Sequence, residues 1–137
     1  MWVAVEALSF GVLSRMYGLL ADQTVKEAIA KRFGYVDGLA RRFAANVRAV
    51  AVFRNACAHH GRIWNRHIRA DVPFIPRALV EKGTSEQDYR NTAWGVIVVA
   101  AHLVEQVRRD NSFRNAIDDL VDTSLAFKEG LTAPSMK

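Results

Sequence analysis

One stripe in the middle of the chain is apolar at every position but one. Its members follow one another in steps of four, three, four and three residues: Phe43, Val47, Val50, Arg54 and Cys57. Such spacing places them on one face of a helix, and it predicts a helix over residues 37–60 that closes at Gly61. Because Arg54 lies on this apolar stripe, we expect its guanidinium to point inward and to require an acceptor, preferably a carboxylate.

The first helix, predicted over residues 2–20, can supply that carboxylate. This segment is apolar almost all the way round, and Glu6 is its only acid. Its charged residues and two serines make it a poor membrane span, so we expect a helix buried in the core of a bundle. We therefore predict a Glu6–Arg54 pair. The alternative is that Glu6 simply reaches solvent.

Capping patterns place the next helices. The sequence Thr24-x-x-Glu27 indicates a capping box that opens a second helix, which Gly34 ends. A second such box, Thr84-x-x-Gln87, predicts a long helix that continues through the valine run at 96–99 to about Asp110. Between them, residues 62–83 show no sustained period and predict a long loop after the third helix.

A last amphipathic helix is predicted over residues 113–128. We expect four of its side chains to point inward: Phe113, Ile117, Leu120 and Leu125. The tail from Gly130 is expected to be frayed. With no strand pattern, the sequence predicts an all-α bundle of about five helices in a single domain over residues 1–137.

The charge of the chain is concentrated in residues 31–70. This stretch holds nine Lys and Arg residues against the single acid Asp37, which gives +8 there and −3 over the rest of a chain whose net charge is +5. A basic face on a neutral-to-acidic body favours RNA or another polyanion as partner; the alternative is a solvated basic surface with no ligand. The candidate RNA-binding residues are Arg41, Arg48, Arg62, Asn65 and Arg66.

Residues 54–66, RNACAHHGRIWNR, carry the chemistry-bearing side chains. Metal-independent cleavage of RNA needs a base, an acid and cations for the phosphorane charge, and histidine, arginine and asparagine suit these tasks near neutral pH. Asn55 and His59 share a helix face. Arg54 lies about 140° from His59 on an ideal helix, so the helix must end or unwind at His59 if both are to touch one phosphate.

The string Arg54-Asn55-x-x-x-His59 resembles the Arg-x4–6-His signature of the HEPN superfamily of all-α, mostly metal-independent ribonucleases. Together with WVAVEALSFGVLSRMY upstream, RNACAHHGRIWNR is similar to the abortive-infection (AbiD/AbiF-like) bacteriophage-resistance proteins within it. The resemblance implies that Arg54 and His59 are the catalytic pair, with Asn55 assisting and with no cofactor or metal. His60 also satisfies the looser spacing.

The same resemblance implies a homodimer that brings two motifs together. It implies a growth-arresting endoribonuclease, acting in anti-phage defence or as the toxin of a toxin–antitoxin pair, whose antitoxin would be an RNA or a protein. Members of this family are commonly about twice as long, so we expect a HEPN-like domain from the C-terminal part of a longer architecture. No signal peptide is visible, and we expect a cytoplasmic protein without membrane contact.

Several other interpretations of these residues are open. A non-catalytic helical module that dimerises and binds RNA or a partner would leave Arg54 purely structural. A transition-metal site from Cys57, His59, His60 and His67 lacks an established ligand spacing. We expect His102 to be a hydrogen-bonded core residue, and Trp64 to pack against the protein rather than stack on a base.

Overall fold

The computed structural model describes residues 9–36, 38–59, 62–65, 72 and 89–133. Within these ranges all regular structure is helical, which confirms the predicted all-α class. The helices are α1 (Phe10–Leu19), α2 (Gln23–Arg32), α3 (Ala40–Ala58), α4 (Ala93–Arg108), α5 (Ser112–Asp122) and α6 (Leu125–Thr132). Most of the predicted loop at 62–83 lies outside the described residues. None of the described helices has both the length and the apolar character needed to cross a membrane.

Helix α1 lies on the surface of the bundle, against α3, and the prediction of a core helix is wrong for its described part. Tyr17 is its single buried residue, whereas Met16 and Leu19 are exposed. Tyr17 packs edge-on against Phe43 of α3 and donates a hydrogen bond to the carbonyl of Lys26 across 3.0 Å. One aromatic side chain thus joins the first three helices.

Helix α2 begins two residues earlier than its capping pattern predicted, because the N-cap is residue 22 and not residue 24. Asp22 is the N-cap, and its Oδ1 accepts from the backbone N–H of Thr24 at 2.8 Å and of Val25 at 3.2 Å. A carboxylate at this position satisfies two free helix donors and favours the positive end of the helix dipole. The end of the helix is as predicted, because Gly34 has a φ of +79° directly after the C-cap residue Phe33.

The predicted apolar stripe of α3 is buried only in its first half. Phe43 is buried and Val47 and Val50 are partly covered, but Arg54 and Cys57 are exposed. The expectation that Arg54 points into the core is therefore wrong for the described structure. Periodicity gives the direction in which a side chain leaves a helix, but burial also requires another element to cover it.

Helix α4 forms the centre of the main apolar cluster. It begins at Ala93, after a break at residues 90–92 in which Asn91 has a φ of +58°. The break interrupts the predicted continuous helix, whose start at residue 84 lies outside the described residues. Thr92 is the N-cap and accepts from the N–H of Gly95 at 3.0 Å. The valine run at 96–99 is helical, as predicted. The capping box proposed at 84–87 lies outside the described residues.

The last predicted helix is two helices. The chain breaks at Thr123, and Ser124 caps α6 by accepting from the N–H of Phe127 at 3.4 Å. Three of the four residues predicted to point inward are exposed: Phe113, Leu120 and Leu125. The predicted frayed tail is also wrong at its start, because Gly130 and Leu131 are buried and belong to α6.

His102 joins the two apolar clusters of the bundle. It is 8% exposed, and its Nε2 lies 2.9 Å from the carbonyl oxygen of Phe33, which requires the proton on that nitrogen. A Cβ on Gly34 would lie 3.3 Å from the same Nε2. The prediction of a hydrogen-bonded core histidine is confirmed, and the contact fixes α4 against the end of α2.

Candidate functional site

The motif residues lie at the C-terminal end of α3. The helix ends at Ala58, and His59 is its C-cap with φ −95° and ψ 23°. The backbone N–H of His59 still donates to the carbonyl of Asn55 at 3.1 Å. The helix therefore ends at His59, the position at which the sequence predicted that it would have to end or unwind for a phosphate contact shared with Arg54.

Arg54 and Asn55 are in direct contact. Nη1 of Arg54 donates to Oδ1 of Asn55 across 3.2 Å, and both side chains are exposed. Consecutive residues of a helix point about 100° apart, so this bond turns the guanidinium round the helix toward the side of Asn55. Asn55 is also the motif residue that shares a face with His59, which is exposed as well.

The proposed partner of Arg54 lies outside the described part of the chain. This partner is Glu6, and two other predicted site residues, His60 and Arg66, also lie outside the described residues. The Glu6–Arg54 pair, the role of His60 and the RNA contact of Arg66 therefore stay predictions. Within the described ranges, the salt bridges involve arginines and lysines of the C-terminal half and leave Arg54 out.

A groove of about 620 Å³ runs between α1 and α3 and reaches the motif at Asn55. Its lining consists of small residues, two arginines, one valine and one asparagine: Gly11, Ser14, Arg15, Gly18, Ala44, Ala45, Arg48, Ala51, Val52 and Asn55. Arg48 was predicted to bind RNA, but Arg15 was not. The sequence did contain an indication of it, because Arg15 is the single charged residue of α1.

The structure places only one of the described RNA-binding candidates in this groove and the others elsewhere. Arg48 lines the groove with Asn55, whereas Arg41 is exposed elsewhere on α3 and is not part of the lining. Arg62 lies over the ring of Trp64, 5.2 Å from its centroid, and its Nε donates to the Trp64 carbonyl at 3.1 Å. The backbone N–H of Asn65 donates to the carbonyl of Gly130 at 2.8 Å.

Trp64 holds the segment after the motif against α6. Its Nε1 donates to the carbonyl of Ala126 at 3.4 Å, and a Cβ on Gly130 would lie only 2.1 Å from that nitrogen. The indole is 37% exposed, so one edge stays open to solvent. This contact supports the packing interpretation of Trp64 over a base-stacking role.

The structure brings no metal-binding group together within the residues it describes. No three His, Cys, Asp or Glu side chains of those ranges are arranged so that they could hold an ion. Cys57 and His59 are exposed, while His60 and His67 lie outside the described ranges.

Comparison with known proteins gives one match. Neither a curated protein nor a solved structure matches the chain significantly. Residues 1–65 match the family model described as Abi-like protein. The matched segment covers α1, α2 and α3 and ends at Asn65, so it includes Arg54, Asn55, His59 and the described residues that line the groove. Over residues 1–65, just under half of its length, the chain is therefore similar to the abortive-infection, or Abi-like, family.

Proposed function

We propose that this chain is an abortive-infection protein and that it acts as a metal-independent endoribonuclease of the HEPN type. Arg54 and His59 would be its catalytic pair, with Asn55 as the positioning residue. The observation that carries the proposal is the Arg54–Asn55 hydrogen bond, one turn before the helix ends at His59.

Helix geometry explains why that hydrogen bond matters. On a helical wheel, Asn55 lies about 100° and His59 about 140° from Arg54. Asn55 therefore lies between the other two, and the guanidinium that it holds is displaced toward the face of His59. The planar guanidinium of Arg54 and the exposed imidazole of His59 would then both be available to one phosphate group.

The reaction needs a base, an acid and a cation; histidine can serve as base or acid, and arginine supplies the cation. The base removes the proton of a ribose 2′-OH, and the 2′-oxygen attacks the adjacent phosphorus. The bond to the 5′-oxygen breaks, and this oxygen takes a proton from the acid. Arg54 stabilises the negative charge on the phosphorane. The products are a 2′,3′-cyclic phosphate and a free 5′-hydroxyl, and no divalent metal takes part.

A two-fold dimer would complete this chemistry. Base and acid act on opposite sides of the phosphate, and each chain offers one motif histidine at the end of α3. A two-fold interface presents the same patch from both subunits, so pairing the two helix ends supplies two histidines, two asparagines and two arginines. Because that pairing brings many cations together, we expect the dimer to tighten with sulfate or RNA.

Incubation of the purified protein with total RNA in EDTA tests the activity. Wild type should release fragments with 2′,3′-cyclic phosphate ends, and His59→Ala should reduce the rate at least about a hundredfold. His60→Ala serves as the matched variant, and the two together identify the histidine in use. RNA binding without cleavage would instead support a non-catalytic RNA-binding module. Cleavage that persists in both variants would exclude the proposed histidine chemistry.

Mixed dimers test whether the site is shared. Wild-type chains are mixed with an excess of His59→Ala chains and allowed to exchange before the assay. If each site uses both histidines, the activity per wild-type chain should fall toward that of the mutant. Unchanged activity per wild-type chain, or an active monomer in ultracentrifugation, would contradict a shared site.

A further inference from the structure

The groove between α1 and α3 has the properties of a ligand site. Its volume of about 620 Å³ falls within the range of roughly 300–1,000 Å³ that is usual for such sites. Among the described residues that line it there is no Asp or Glu, whereas there are two arginines, one from each helix. Within the described residues, neither Arg15 nor Arg48 takes part in a salt bridge. The groove thus carries two available positive charges.

Both helices present a continuous row of small residues to this groove. Positions 11, 14, 15 and 18 of α1 and positions 44, 45, 48, 51, 52 and 55 of α3 follow helical spacing. Only the arginines, Val52 and Asn55 carry side chains of any length. A Cβ added at Gly18 would meet nothing within 4 Å, so the space is open at that point. Small side chains keep the groove wide enough for a ligand.

We propose that this groove binds a single-stranded segment of the RNA next to the cleaved bond, with Arg15 as a phosphate-binding residue. The inference rests on the proposed function and assigns the substrate form and a further binding residue to it. Arg15 and Arg48 contact backbone phosphates from the two sides. The small residues between them leave room for ribose and base.

Asn55 gives the groove its connection to the cleavage site. It lines the groove at one end and accepts the hydrogen bond of Arg54. A strand in the groove therefore reaches the Arg54–His59 end of α3 without a change of face. The backbone of RNA carries one negative charge per nucleotide, so two phosphate contacts fix its register at the site without reading its sequence.

Charge favours RNA over a second copy of this chain as the occupant. A two-fold interface at the groove would place Arg15 and Arg48 of one subunit against the same residues of its mate. Like charges brought together in this way oppose association, whereas phosphates neutralise them.

Binding of an uncleavable probe tests the role of Arg15. The probe is a short single-stranded oligonucleotide with 2′-O-methyl riboses, which lacks the attacking hydroxyl. Arg15→Gln should bind it about five- to tenfold more weakly at low salt, and the slope of log affinity against log salt should fall by about 0.7 for the lost phosphate contact. The matched control is Arg32→Gln, which removes the same charge from an exposed site on α2 outside the groove. It should change affinity less than about twofold.

Filling the groove provides a second test. Gly18→Leu places an apolar side chain in the open space and should lower probe affinity without removing a charge. Gly18→Ala is its control and should bind like wild type. If Gly18→Leu does not fold, as judged by circular dichroism, the Arg15 measurement alone decides.

The outcomes separate this inference from the nuclease proposal. If the wild type cleaves no RNA but Arg15→Gln binds the probe more weakly, the groove inference holds and the nuclease proposal is overturned. If the wild type cleaves RNA but Arg15→Gln binds the probe as well as the wild type does, the groove inference is overturned and the nuclease proposal holds. Gly18→Leu that binds the probe normally but no longer dimerises would assign the groove to a second copy and overturn the inference.

Discussion

Arg54 and Asn55 are consecutive residues of one helix, and yet their side chains are joined by a hydrogen bond of 3.2 Å. Neighbours in a helix do not ordinarily face each other, so the bond exists because the long guanidinium side chain bends round the helix surface. Its geometry makes Asn55 the residue that determines where the charge of Arg54 is placed.

The first prediction concerns that positioning role. Asn55→Ala should reduce RNA cleavage at least about tenfold, because Arg54 loses the acceptor that turns it toward His59. The free energy of unfolding should change by less than about 0.5 kcal/mol, since the side chain is exposed. Cleavage rates and urea unfolding of the same preparations check both parts. Asn55→Gln, which keeps the amide but moves it, should not restore the rate.

A second prediction follows from the exposure of Arg54. Arg54→Ala should abolish cleavage but change the free energy of unfolding by no more than about 0.5 kcal/mol. An inward arginine with a buried carboxylate partner would instead cost about 3–5 kcal/mol on truncation. Arg54→Lys keeps the charge and loses the planar fork, so it should recover only part of the rate. A large loss of stability in Arg54→Ala would show that the residue is covered.

The third prediction uses two glycines as a matched pair. Gly130→Ala should destabilise the protein by about 1–3 kcal/mol, because its Cβ would lie 2.1 Å from Nε1 of Trp64. Gly18→Ala, in the open groove, should instead be neutral or stabilise by up to about 1 kcal/mol through helix propensity. Thermal unfolding of both variants measures the difference. In a Trp64→Leu background the cost of Gly130→Ala should shrink, and a cost that stays the same would exclude this contact as its cause.

Alkaline unfolding gives the fourth prediction. Tyr35 is 2% exposed and accepts a hydrogen bond of 2.8 Å from Nδ2 of Asn46. Burial raises the pKa of Tyr35 above its ordinary value of 10.0, and the Asn46 hydrogen bond offsets part of that rise. Because the folded-state pKa is the higher one, its contribution to stability is complete below pH 10.0 and is lost as the pH rises toward the folded-state pKa.

Tyr35→Phe tests this contribution. At neutral pH the variant should be about 1–3 kcal/mol less stable, since Nδ2 of Asn46 loses this acceptor. Above pH 10.0 its stability should fall less steeply than that of wild type. Urea unfolding at both pH values measures the two slopes. Parallel curves for the two proteins would assign the alkaline loss to other groups.

Local patterns predicted the helical class, the glycine end of α2 and the helical state of the valine run, because each depends on a few neighbouring residues. The start of α2 was misplaced because Asp22 and Thr24 are both good capping residues. Sequence alone does not say which of them adopts the extended backbone of an N-cap. The break between α5 and α6 was missed for a similar reason. Ser124 is compatible with a helix interior and with a cap, and only the packing of α6 decides between them.

The catalytic roles of the motif residues stay predictions, and the surroundings of these residues could not be predicted from the sequence. The motif residues follow from the chemistry of Arg54, Asn55 and His59 together with their spacing. Burial of Arg54 was predicted wrongly, because a stripe does not reveal whether another element covers its last turn. Arg15 was missed because it lies far from the motif in sequence, and only the packing of α1 on α3 brings it into one groove with Asn55.

The backbone hydrogen bond between Asn65 and Gly130 also determines how freely the length of this chain can vary. This bond of 2.8 Å joins the segment just after the motif to α6, so it closes the stretch of chain between residues 65 and 130. The entropy of closing such a circuit grows only with the logarithm of its length, so each doubling of a flexible stretch costs about 0.6 kcal/mol. Inserting a few residues in the exposed turn at Arg90 and Asn91 should therefore cost little. Because Trp64 and Gly130 fix both ends, such an insertion should leave the geometry beside His59 unchanged.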